Sequence, residues 1–213
     1  MRSVRYALAC AVLCMSFTGK AEVASTPAST VQLSKVILNP QIPATSQHVK
    51  VGTICLFAGS PLDFGTQERT LSYERFERLF SATMQQRGFN VLAKSSNLFE
   101  GEGGGAGPDF LFGATFRPQS VDICDSVNGQ KGIIAISVEW QIYDRSKRQV
   151  VETATTRGSG ELPKFQHSGL TAMIDQAFSA SLTALIDQGV IQKYVGNPAP
   201  REKAPSAVEV QKP

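Results

Sequence analysis

Hydrophobic and polar positions alternate along Gly132–Asp144, GIIAISVEWQIYD. Ile134, Ile136, Val138, Trp140 and Ile142 fall on one side of an extended chain, and Ser137, Glu139 and Gln141 on the other. A period of two predicts a strand with one face in the core and one toward water. Beyond Asp144–Arg148 lies a second β-rich run, Gln149–Arg157, so the two together predict a long hairpin. Helical spacing replaces alternation in two places. Phe76, Leu79, Phe80 and Met84 predict a helix over Ser72–Arg87, with Ser72 able to cap its start and Gly88 to end it. A nearly unbroken stripe from Leu170 to Ile186 predicts a second helix over Ser168–Gln188, closed by Gly189.

Three shorter runs complete the pattern. His48–Ala58 is apolar enough for a central strand, Phe89–Leu92 for a short apolar exit from the first helix, and Asp109–Arg117 for a strand continuing brokenly past Pro118 toward Cys124. Gly158–His167 predicts a loop. The order is β-α-β-β-β-α, an α+β fold with a mixed sheet of about four strands. The first helix then carries a crossover between parallel strands. Each helix has a single apolar face, so both are expected on the same side of the sheet. The opposite side, carrying Ser137, Glu139 and Gln141, is expected to be polar and open to a partner.

The two ends read differently. Arg2 and Arg5 precede an apolar run, Tyr6–Phe17, followed by small residues with Gly19 and Ala21 before a cut. That predicts a cleavable signal peptide over 1–21 and a periplasmic protein without a stable membrane span, since the run is shorter than the ~20 residues a crossing helix needs. Cys10 and Cys14 lie inside the run, but Leu13 is too large for the small residue that lipoprotein processing wants before its cysteine. Residues 22–47, rich in Ser, Thr, Ala and Pro, predict a linker with Val31–Leu38 as a short edge strand. A single domain is expected over 48–196. Residues 197–213 predict a disordered Pro-, Ala- and charge-rich tail.

Removing the signal changes the electrostatics. The whole chain carries +3, but residues 1–21 hold Arg2, Arg5 and Lys20 and no acid, which leaves 18 of the 21 basic residues against 18 acidic ones. A neutral mature chain lacks the electrostatic footprint of a nucleic-acid binder, so none is expected as a partner. Two cysteines outlast processing, Cys55 and Cys124. In an oxidising compartment they form a disulfide, or Cys55 is a small buried apolar residue and Cys124 a loop thiol.

Candidate chemistry changes the picture little. GEGGGAG at 101–107 follows a helix and precedes a strand, the reverse of a phosphate-binding loop, and predicts a flexible surface loop. His48 and His167 stand alone, without the paired spacing of a zinc site. A Gly-x-Ser-x-Gly elbow is missing around Gly158–Gly160, and Asp122 and Asp125 lack the regular oxygen ligands of a calcium loop. The basic tip Arg145, Lys147, Arg148 reads as a solvated turn. No catalytic, cofactor-binding or metal-ligating residue is expected, and no cofactor.

The segments GPDFLFGATFRP and IIAISVEWQIYDRSKRQVVETATTRGSGE, followed by an amphipathic helix, resemble a group of bacterial envelope domains. The group includes the N-terminal domain of the Tol-system propeller protein TolB and the periplasmic domain of the curli-secretion lipoprotein CsgG. Asp109, Leu111 and Gly113 match the first strand motif; Tyr143, Asp144, Val150, Gly158 and Gly160 match the hairpin motif. Lys147-Arg148 stands where the group has Thr-Gly in the turn. The resemblance implies a non-catalytic docking module of an envelope assembly. The expected partner is therefore an envelope protein or a second copy of the chain. Two alternatives are an accessory or regulatory domain of a periplasmic hydrolase system and a carrier holding a small molecule or lipid between sheet and helices.

Overall fold

A computed structural model describes residues 29–39, 46–62, 64, 72–92 and 107–197. The expected signal peptide, nearly all of the glycine run and of the C-terminal tail, and parts of the expected linker lie outside the described residues. The fold is α+β: β1 (Thr30–Leu38), β2 (Gln47–Val51), β3 (Phe57–Ala58), α1 (Tyr73–Gln86), β4 (Asn90–Val91), β5 (Phe110–Ser126), β6 (Gly129–Asp144), β7 (Gln149–Gln166), α2 (Gly169–Asp187) and α3 (Val190–Val195). Among the described residues one mixed sheet holds seven strands, where the sequence predicts about four.

β5 is the spine of that sheet. Along one edge it pairs antiparallel with β6, which pairs in turn with β7. Along the other edge, β1 and β2 lie end to end, both parallel to β5. β1 covers Phe110–Phe116 and β2 covers Val121–Asp125. β4 flanks the start of β1, and β3 flanks β2. β5 runs on past Pro118 because the register slips between Pro118 and Ser120, and a proline without an N–H is tolerated beside such a bulge. The slip also reverses the alternation, so Phe112, Ala114 and Phe116 share the buried face with Val121 and Ile123.

Three sequence expectations are corrected. The strand expected at Val31–Leu38 within the linker 22–47 is present as β1, but it is not an edge appended to the fold: Val31 and Leu33 are core residues and its first residues lie between β4 and β5. His48–Ala58 is not one central strand: the chain turns at Gly52 and Cys55, both at positive φ, and returns as the outer strand β3. Gly158–His167 is not a loop but the second half of β7. Its glycines serve close packing. A Cβ on Gly158 would stand 1.9 Å from the Ala177 carbonyl oxygen, and one on Gly160 would stand 1.8 Å from that of Met173. Only a residue without a side chain lets the backbone of α2 come so near a strand.

Both long helices pack on the same sheet face. Phe76, Phe80 and Met84 of α1, with the stripe from Leu170 to Ile186 of α2, join one core with Phe112, Phe116, Ile136, Val138 and Trp140. Rings interlock within and between layers: Phe76 of α1 meets Phe178 of α2 at 4.6 Å and Phe116 of the sheet at 5.8 Å, Phe80 meets Phe112 at 5.3 Å, and Trp140 meets Phe178 at 5.5 Å. Each such fully buried apolar side chain contributes roughly 1.5–3 kcal/mol. Arg75 grips Asp175 with two nitrogens, tying α1 to α2. By length and composition α2 could cross a membrane, but its apolar stripe is spent on β6, β7 and α1. Ser72 precedes α1 without a side-chain cap bond, and Gly88 at φ 85° closes it.

A buried polar relay pins α2 to the hairpin. Trp140 Nε1 donates to Thr156 Oγ1 at 2.8 Å, and Thr156 Oγ1 donates to the Ser181 carbonyl at 2.9 Å. The Ser181 hydroxyl lies 2.7 Å from the same Thr156 oxygen. Trp140 is therefore a core residue with its one polar atom satisfied, as its place on the apolar side predicts.

Candidate functional site: the open face of the sheet

Because the helices occupy one face, alternation sends every second residue of β5, β6 and β7 to the other, and no described helix covers it. Cross-strand pairing arranges that face in rows. Arg117, Ser137 and Arg157 form one row, Thr115, Glu139 and Thr155 the next, and Gly113, Gln141 and Thr153 a third. The three residues expected to present an interaction face, Ser137, Glu139 and Gln141, thus stand one above another at its centre. Gln141 is exposed, and Ser137 and Glu139 are half-buried among their neighbours.

The structure adds the two arginines. Arg117 Nη2 donates to Glu139 Oε2 at 3.2 Å, while Arg157 borders a shallow depression of about 450 Å³ shared with Gln119, Ala135 and Ser159. Ser137 has an arginine as its cross-strand neighbour on either side. These three rows offer arginine donors, hydroxyls, an amide and one engaged carboxylate, a set suited to hydrogen bonding with a polar surface. Counting back from the Asp144–Arg148 turn does not place Arg157 beside Ser137, because the register slips between Ile142 and Tyr143.

Cys55 and Cys124 are joined as a disulfide, with 5.6 Å between their Cα atoms. The bridge fastens the Gly52–Leu56 turn over the end of the open face. Beside it lies a second depression, of about 410 Å³, whose lining includes Lys50, Asp122, Lys131, Ile133 and Glu161. His48 is exposed and paired with Asp122 across β2 and β5; His167 is exposed in the turn before α2. Among the described residues, no group of three or more His, Cys, Asp or Glu side chains is placed to hold a metal.

At the far end, the hairpin turn is organised by Asp144. Its Oδ1 accepts from the Ser146 hydroxyl at 2.6 Å and from the Ser146 and Lys147 amides at 2.9 and 3.1 Å, and Lys147 Nζ sits 3.0 Å from Oδ2. These bonds, that from the Ser146 hydroxyl foremost, hold the carboxyl far below the usual carboxylate range. Two of the three basic residues of the tip are thereby engaged, Lys147 with Asp144 and Arg145 with the Pro108 carbonyl at 3.2 Å. Arg148 takes φ 56°, the conformation for which a glycine would be suited, at the position where the resembled turn motif has one. On the helix side, Glu152 accepts from Tyr194 Oη at 2.8 Å and from Lys193 at 3.0 Å, which lowers its carboxyl and fastens α3 to β7.

No family model matches this chain, and no curated protein does. Solved structures of similar shape include a hypothetical protein of Chlamydia trachomatis (10% identity, 78% of this chain and 95% of that one covered, TM-score 0.38). They also include a Xanthomonas campestris protein of family DUF330 (11%, 79% and 94%, 0.36) and a minor lipoprotein of Acinetobacter baumannii (11%, 78% and 97%, 0.34). At such identities and TM-scores the likeness does not bear on function, and the resemblance to the Tol-propeller and curli-secretion groups is not shown by these comparisons.

Proposed function

We propose that this chain is a non-catalytic interaction module of the bacterial cell envelope, exported to the periplasm, that docks an envelope protein on the open sheet face around Ser137, Glu139 and Gln141. One observation carries the reading. Three long strands present a regular surface that no described helix covers, while the core side chains of the same strands face the helices. Its central rows around Ser137, Glu139 and Gln141 are polar and arginine-bearing, with Ile133 and the Leu111–Tyr143–Val150 row as apolar positions toward its two ends. The carrier reading receives no such support, because interlocked rings fill the layer between sheet and helices where its ligand would lie.

Photo-crosslinking residues placed in the full chain in its native host test this. Substitution at Gln141 and Thr155 should give a discrete protein adduct, and substitution at Arg78, exposed on α1, should not. Adducts equal at both places, or a monomer without adducts from the open face, would refute it. An adduct of twice the chain's own mass would identify the partner as a second copy.

A further inference from the structure

The end of the sheet beside the disulfide carries a second surface of a different character. Among the described residues, Ile54, Leu56 and Phe57 are 70, 72 and 68% exposed, and Val127 is 89% exposed. Ile54 and Leu56 occupy the turn between β2 and β3, and Phe57 follows as the first residue of β3; Val127 is the tip of the β5–β6 turn. Both turns lie at one end, because Val51 pairs with Asp125 and the Gly52 amide donates to the Asp125 carbonyl at 2.9 Å. Two lysines stand astride the bridge: Lys50 and Lys131 are the cross-strand neighbours of Cys124, one on each side. Asp125 is an acid at the same end, while Asp122 and Glu161 sit a row further down the face.

We propose that this end inserts into the headgroup–acyl boundary of a phospholipid bilayer, with Ile54, Leu56, Phe57 and Val127 among the acyl chains and Lys50 and Lys131 at the phosphates. The shape favours lipid over protein. Ile54, Leu56 and Val127 stand exposed on turns at the end of the sheet and Phe57 at the start of β3; a protein partner seats such anchors in a pocket, whereas a bilayer needs no matching concavity. Charge contributes by position and not by net charge: Lys50 and Lys131, the latter 4.6 Å over the Phe165 ring, are set back from the apolar tip at the level where headgroups would lie. The Cys55–Cys124 bridge and the tight turn at Gly52 hold the tip in place beforehand, so little freedom is lost on insertion. This surface lies apart from the rows around Ser137, so the proposal stands independently of the docking reading.

The test is co-sedimentation of the purified, exported full chain with vesicles of mixed phosphatidylethanolamine and phosphatidylglycerol. Wild type should pellet with them, and I54S/L56S/F57S should bind at least about tenfold more weakly, each side chain buried in the acyl region being worth on the order of tenfold. K50Q/K131Q should keep the apolar contact and lose most of the preference for phosphatidylglycerol over phosphatidylcholine vesicles. All five side chains lie outside the core, so unchanged Trp140 emission and urea midpoint certify the fold. Wild type remaining in the supernatant, or the triple variant binding as wild type, would overturn the proposal. Loss of a protein crosslink in the triple variant, with wild type indifferent to vesicles, would also overturn it and assign the tips to a protein.

Discussion

Replacing Thr156 by valine removes one oxygen and leaves the shape of the side chain. In the folded protein that oxygen accepts from the Trp140 indole at 2.8 Å, lies 2.7 Å from the Ser181 hydroxyl and donates to the Ser181 carbonyl. Of the groups it releases, the Ser181 hydroxyl can turn to a carbonyl of its own helix. The indole N–H has no such recourse, since Trp140 is wholly buried. A buried donor left without a partner costs about 1–3 kcal/mol, and the near-isosteric change adds no cavity, so Thr156→Val should destabilise by about 2 kcal/mol. Trp140 is the sole tryptophan of the chain, so its fluorescence reads unfolding at the perturbed site. With a urea slope of about 2 kcal/mol/M, the midpoint should fall by about 1 M. Thr156→Ser keeps the oxygen and should retain most of the stability. A loss below about 0.5 kcal/mol for valine, or equal losses for valine and serine, would refute the assignment of the relay.

Gly160→Ala should destabilise far more than an exposed glycine substitution, by about 3 kcal/mol or enough to prevent folding, because its Cβ would enter the Met173 carbonyl; thermal melting checks this. Arg148→Gly should raise stability by about 1 kcal/mol in urea titration, by relieving a left-handed conformation in a side-chain-bearing residue. Reducing the Cys55–Cys124 bridge, which closes a loop of 69 residues, should cost about 4 kcal/mol on the chain-entropy account, read as a lowered urea midpoint with reductant. Burial, with smaller contributions from Glu77 and Glu74, pushes the Tyr73 phenol from its ordinary 10.0 up to about 12, while its hydroxyl donates to the Leu33 carbonyl at 2.5 Å. The neutral form is favoured by folding. Its stabilisation should be whole below about pH 10 and vanish as pH rises toward 12, and Tyr73→Phe should lack that descent in pH-dependent melting.

Sequence alone determined the local elements whose periodicity speaks for itself. The alternation from Ile134 to Ile142, the helical stripes of α1 and α2, and the placement of Trp140 in the core are all read from one strand or helix at a time, because burial of one face imposes its period on the residues that line it. From those stripes alone follow helices on a single side and a polar face bearing Ser137, Glu139 and Gln141. Sheet order was decided elsewhere. That β1 and β2 share one edge of β5, and that β3 turns outward at Cys55, depends on pairing between residues far apart in the chain, which no local pattern encodes. Glycine was ambiguous for a related reason: Gly158 and Gly160 look like breakers until α2 is laid against them. Most telling are the register slips at Gln119 and Val151. One extra residue in a strand exchanges its two faces, so the slip beside Val151, and not the sequence of β7, decides that Thr156 meets Trp140 in the core and that Arg157 joins Ser137 outside.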